Sequence, residues 1–112
     1  MRSGEIALFF TNFDGLRASR TGKRGWSFLD IATAEWLIDE RVKAVGIDSM
    51  SVDELESHEN EVHKKLLEND IVIFENLSHN LRFLVGRRAL FFGMPLKLAR
   101  TEASPVRAFA IL

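Results

Sequence analysis

His63-Lys-Lys-Leu-Leu-Glu-Asn-Asp-Ile-Val-Ile-Phe-Glu75 contains a helix end, a turn and a strand. Val62, Leu66 and Leu67 recur at helical spacing, and Glu68-Asn69-Asp70 interrupts that pattern. Ile71 to Phe74 is a short apolar run rich in β-branched residues, which predicts a strand buried on both faces. Glu75 follows at its carboxyl end, the edge where open α/β sheets hold ligands. His63 lies one turn before Leu66 and Leu67, so it flanks the apolar stripe of the helix. An imidazole and a carboxylate placed there suit a divalent cation, and they make two ligands of a site that needs more.

Working outward, the neighbouring segments predict a βαβαβ order. Glu5 to Thr11 reads as a strand between Ser-Gly and Asn-Phe-Asp-Gly. Residues 14–25 are basic and glycine-rich and are expected to form an exposed loop. Its Arg17, Arg20, Lys23 and Arg24 lack the aromatic interleaving or phosphate-cradling pattern of a nucleic-acid site. Asp30 is positioned to cap a helix from about Ile31 to Arg41, with Ile31, Ala34, Leu37 and Ile38 inward and Trp36 expected to pack. Val42 to Ile47 is a short strand entering the polar turn Asp48-Ser-Met-Ser-Val-Asp53.

Asp48 and Asp53 have two readings. Either can orient a ligand histidine from behind or touch a cation, and either can cap a turn or helix through side-chain to backbone hydrogen bonds. For Asp53 capping is preferred, and for Asp48 both readings stand. His58 and His79 are expected at the surface. Beyond Leu84, Arg88 to Gly93 reads as a strand broken by Met94-Pro95 and resumed at Leu96 to Leu98. A last strand lies within Ala103 to Leu112, with Pro105 at its start. One mixed sheet with right-handed crossovers is the expected architecture.

With 112 residues, 46% of them hydrophobic, the chain is read as one domain spanning residues 1–112 with a packed core. The absence of cysteine excludes disulfide and thiolate chemistry and fits a reducing cytoplasm. No apolar run reaches the roughly 20 residues of a membrane-spanning helix, and the amino-terminal residues lack a signal-peptide pattern. The net charge of −1 hides a segregation: residues 1–28 carry +3, residues 29–80 carry −9 and residues 81–112 carry +5. An acidic middle fits a cation site, and it fits internal charge balance more simply.

Several phrases, taken in order, are similar to one family. They are Val45-Gly-Ile-Asp48 with Ser51-Val-Asp53, then His63-Lys-Lys-Leu-Leu67, then Ile73-Phe-Glu75-Asn-Leu77 with Asn80-Leu81. Met94-Pro-Leu-Lys-Leu98 and Ser104-Pro-Val-Arg-Ala108 follow. From Glu5 to Leu112 the chain resembles the carboxyl-terminal half of the cyclase/kynurenine formamidase family. The resemblance implies an α/β swivelling-domain fold with two main helices, half of the family's usual domain. It also implies zinc or manganese and hydrolysis of amide bonds by a metal-bound water, as in tryptophan catabolism. By position His63 and Glu75 match metal ligands, and Asp48 and Asp53 match acidic positions near them.

The family's other ligands lie in an upstream motif, His-x-Gly-Thr-His-x-Asp, that this sequence does not contain. Thr11-Asn12 stands for the usual Thr-Gly, His79 adds one residue to the Glu-x-Leu-x-Asn-Leu phrase, and Ala103 replaces a glycine. Two functions follow. One is a hydrolase completed by a homo-oligomer or by a partner chain carrying the absent motif. The other is a non-catalytic binding or regulatory module that keeps the scaffold.

Overall fold

The computed structural model describes residues 1–15, 20–22 and 25–112. Three parallel strands, β1 (Ile6–Phe9), β2 (Ala44–Ile47) and β3 (Val72–Phe74), form a sheet in that spatial order. The crossovers between them contain helices α1 (Ile31–Asp39) and α2 (Glu61–Glu68). A 3₁₀ turn, His79–Leu84, leads to a separate antiparallel pair, β4 (Leu90–Pro95) and β5 (Val106–Ile111).

Both helices stop by the same device. Arg41 and Asp70 take left-handed φ values of 56° and 58°. Val42 N–H then reaches back to Leu37 O at 3.3 Å, and Ile71 N–H to Leu66 O at 3.0 Å. These six-to-one bonds satisfy carbonyls that a helix end leaves open. The residue after each turn is a buried aliphatic that starts the approach to the next strand, with Val42 4% and Ile71 2% exposed. Asp30 opens α1 as expected, its Oδ1 accepting Thr33 N–H at 2.7 Å.

Strand alternation divides the sheet. Ala7, Val45 and Ile73 are in register, and with Ile47 and Phe9 they face α1 and α2. Leu37 and Leu66, both fully buried, fill that layer; each contributes roughly 1.5–3 kcal/mol by leaving water. On the opposite face lie Ile6, Leu8, Gly46 and Phe74. There Phe74 meets Phe91 edge to face at 5.3 Å and lies against Gly93, so the β4–β5 hairpin rests over that side. Gly46 is required by close approach. A Cβ there would stand 2.6 Å from Leu8 Cδ2 and 2.8 Å from Leu77 Cδ1. Gly46→Ala is therefore expected to lower stability by about 1–3 kcal/mol in denaturant titration, since two packed leucines must move together.

Four expectations are corrected. The strands do not join in one mixed sheet: β4 and β5 pair only with each other among the described residues. Among the described residues β3 pairs on one side only, and rather than being buried on both faces it leaves Val72 52% exposed. Met94-Pro95 does not break β4. Pro95 closes it opposite Val106, and residues 96–98 are not strand. Trp36 is 45% exposed instead of packed, because α1 turns Ala34 and Leu37 to the core. In the expected loop, Gly15, Arg20 and Thr21 are helical, and Arg17, Lys23 and Arg24 lie outside the described residues.

Candidate metal half-site at the sheet's carboxyl edge

Where β2 and β3 end, their loops bring Asp53 and Glu75 to either side of His63. The position of His63 follows from how α2 begins. Asn60 precedes the helix with a left-handed φ of 48° and its side chain makes no capping bond. The cap comes from a distance: Asp53 Oδ1 accepts Val62 N–H at 2.9 Å and Oδ2 accepts His63 N–H at 3.0 Å. An anion is thus placed on the open amides and positive dipole end of α2. The same Oδ2 lies 2.5 Å from His63 Nδ1, so one carboxylate fixes both the helix and the ring.

The other ring nitrogen, Nε2, is 3.0 Å from Glu75 Oε1. Glu75 is itself held by Val52 N–H at 3.0 Å and by the Ser51 hydroxyl. Ser51 Oγ also accepts Asp53 N–H at 3.0 Å, and Trp26 Nε1–H donates to Asp53 O at 2.8 Å. The 49–53 turn is therefore the frame for both carboxylates. Asp53 is 4% exposed, while the His63 and Glu75 side chains are partly open to solvent.

The charges act on one another strongly. The Glu75 hydrogen bond, against the opposing effect of burial and with help from Asp53, raises the His63 pKa from 6.5 to about 9. Burial pushes the Asp53 and Glu75 carboxyls up, but the His63 bonds and backbone amides outweigh it and leave both pKa values lowered. At neutral pH the cluster is an imidazolium between two carboxylates.

Asp48 is engaged elsewhere. Its Oδ1 accepts Thr11 N–H and Oγ1–H at 2.8 and 2.7 Å, and its Oδ2 accepts Phe13 N–H at 3.2 Å. It clamps the segment after β1 to the end of β2. His58 is exposed, and exposed His79 stands edge-on to Phe10. The fold thus brings His63, Glu75 and Asp53 together and leaves Asp48, His58 and His79 in other roles. The capping role preferred for Asp53 is thus met, at the start of α2, a target the sequence did not specify; the support from Ser51 and Trp26 was not read from it.

Whether these side chains suit a cation can be tested on the donor set. Nε2 and Oε1 are 3.0 Å apart. Two ligands at about 2.0–2.1 Å from one zinc ion in tetrahedral arrangement would be roughly 3.3–3.4 Å apart, so a small adjustment admits an ion. Asp53 sits behind the ring on Nδ1, the place of the carboxylate that orients a metal-bound histidine. It cannot join the same ion, because the two ring nitrogens point in different directions. No group of three or more candidate ligands around one point is found among the described residues. The cluster fits half a metal site.

Comparison with known proteins agrees with this scaffold. A family model described as "Putative cyclase" matches residues 1–54. An uncharacterized protein of Methanocaldococcus jannaschii is 45% identical over 76 residues, covering 68% of this chain and 38% of that protein. The kynurenine formamidase of Polaromonas naphthalenivorans is 38% identical over 96 residues, covering 83% of this chain and 42% of the enzyme. A solved structure described as a potential metal-dependent hydrolase with cyclase activity superposes with a TM-score of 0.76 at 26% identity. That match covers 98% of this chain and 52% of the other. The chain therefore spans about half or less of the length of these relatives. Over residues 1–54 it matches the cyclase family model, and in sequence and fold it is similar to the kynurenine formamidases and to that potential metal-dependent hydrolase.

Proposed function

We propose that this chain supplies one side of a divalent-cation site that hydrolyses an amide bond. His63 Nε2 and Glu75 Oε1 are the ligands, and Asp53 orients the ring. The observation that carries the reading is the convergence of those two atoms to 3.0 Å, with Asp53 fixed on the far side of the imidazole. Support comes from the names of the relatives, a kynurenine formamidase and a metal-dependent hydrolase.

Zinc or manganese, when bound, would acidify water and polarise a carbonyl. The chain's own groups do the preparatory work. Loading requires loss of the Nε2 proton, while Asp53 retains the proton on Nδ1 and so keeps the ring in the ligating tautomer. Val52 N–H and the Ser51 hydroxyl hold Glu75 facing Nε2. The remaining ligands and the catalytic base come from residues outside this set. A formyl amide of an aromatic amine, the substrate type named in the kynurenine formamidases, is the first to assay. A swivelling-domain fold and a cytoplasmic setting belong to the same reading. No helix of the described residues is long and apolar enough to cross a membrane.

One observation favours a second reading, a non-catalytic module. Both nitrogens of His63 are already occupied by carboxylates, so the triad is self-sufficient as a structural ion cluster.

Elemental mass spectrometry on protein purified without chelators separates the two. The hydrolase reading expects zinc or manganese approaching one per chain in the completed assembly, reduced at least ten-fold in both His63→Ala and Glu75→Gln. Metal content unchanged in both variants would defeat the ligand assignment. Protein that refuses added zinc in every assembly state would favour the module.

A further inference from the structure

The turn that frames the half-site is itself held by a second segment. Val52 and Asp53 each carry one backbone N–H and one C=O, and all of these groups are engaged. Val52 N–H donates to Glu75 Oε1 and Asp53 N–H to Ser51 Oγ, both at 3.0 Å. The two carbonyls are taken by residues 26–29. Leu29 N–H donates to Val52 O at 2.9 Å, and Trp26 Nε1–H donates to Asp53 O at 2.8 Å.

These two bonds depend on different things. The Leu29 bond joins main chain to main chain, so it survives most changes of side chain. Leu29 is also buried in the core, one residue before the Asp30 cap that opens α1, which gives the segment a fixed base. The Trp26 bond is made by the side chain and is specific to it. A half-buried indole commonly finds an acceptor for its N–H, and packing alone would be content with any buried carbonyl. Here the acceptor belongs to the residue whose carboxylate caps α2 and holds His63 Nδ1. The Asp53 carbonyl and carboxylate spring from one Cα, so turning the carbonyl swings the carboxylate. Hydrogen bonds weaken steeply with misalignment, and the short contact to Nδ1 is the one that orients the ring toward Glu75.

We propose that Trp26 is a positioning residue of the half-site: its indole N–H, acting through the Asp53 carbonyl, sets the carboxylate that orients the His63 ring. The functional meaning of this relay rests on the reading of His63 and Glu75 as cation ligands. The relay itself is a property of the metal-free chain and is tested there.

The test uses the full chain with Trp36, which is exposed, changed by Trp36→Phe so that Trp26 is the single tryptophan. Trp26 is then replaced by benzothienylalanine, which keeps the bicyclic ring and lacks the N–H. In metal-free protein the His63 Nδ1–H resonance is expected to move upfield in NMR spectra. The Val62 and His63 amides should exchange with water roughly two- to ten-fold faster, the loss expected for one hydrogen bond. Zinc affinity, measured by competition with a chelating dye, should fall by a similar factor. A lowered melting temperature with ring resonance and amide exchange unchanged would make the indole a packing group only and overturn the proposal. Should the replaced chain misfold, the relay is read from its other end. His63→Gln is expected to shift the Trp26 Nε1–H resonance and leave that of Trp36 in place, because coupling is reciprocal. An unmoved Trp26 resonance would overturn the proposal. A wild-type chain that takes no zinc, with these signals moving as expected, would support the relay and count against the cation reading alone.

Discussion

Asp53→Ala is expected to destabilise the chain by about 2–4 kcal/mol in urea titration, more than a surface carboxylate commonly contributes. Three donors lose their acceptor together: Val62 N–H, His63 N–H and His63 Nδ1–H. Loss of a helix cap alone costs about 0.5–2 kcal/mol. Here a half-buried imidazolium also loses one of its two counter-ions, and Asn60 has no side-chain bond with which to replace the cap. Asp53→Asn separates these contributions. Its carbonyl oxygen can still accept from the helix, but its amide cannot replace a carboxylate as partner to a cation. Asparagine should therefore recover part of the stability while lowering the His63 pKa, as followed by NMR titration of the ring. Equal stability in wild type and Asp53→Ala would show that the cap is replaceable by water.

The difference between what the residues announce and what the fold does follows from range. Asp30 could be read as a cap because its partner, Thr33, is three residues away. Asp53 caps α2 across an intervening loop, and in the sequence Asn60 stands in the place where a cap is sought. The β-branched run at 71–74 identifies a strand but carries no information on its neighbours. Whether β3 is central or at an edge depends on what pairs beyond it, and here nothing among the described residues does. The same limit explains the mixed sheet that was expected. Apolar runs at 5–11 and 88–98 show β character equally well, while their pairing is decided by the crossing of the hairpin over Phe74. Trp36 was misplaced for a simpler reason: the small Ala34, rather than the large aromatic, marks where α1 approaches the core. His63 and Glu75 were legible together because a helix, a tight turn and a short strand leave little freedom to the twelve-residue step between them.

The cluster also sets a pH dependence whose sign differs between its members. His63 has a folded pKa of about 9, raised from 6.5 chiefly by Glu75. Its contribution is fully present below pH 6.5 and is lost as pH rises through about 9. Asp53 and Glu75 have lowered folded pKa values. Their contributions are present above their ordinary values of 3.8 and 4.5 and are lost as pH falls through the lower folded values. Metal-free protein should thus be most stable between about pH 5 and 6.5, losing on the order of 2–3 kcal/mol from pH 6 to 10. The histidine and carboxylate shifts describe the same contacts and are not added. In His63→Gln the alkaline loss should largely vanish, because no imidazolium remains to be discharged. An alkaline slope as steep in that variant as in wild type would place its origin in another group and remove the triad as a source of stability.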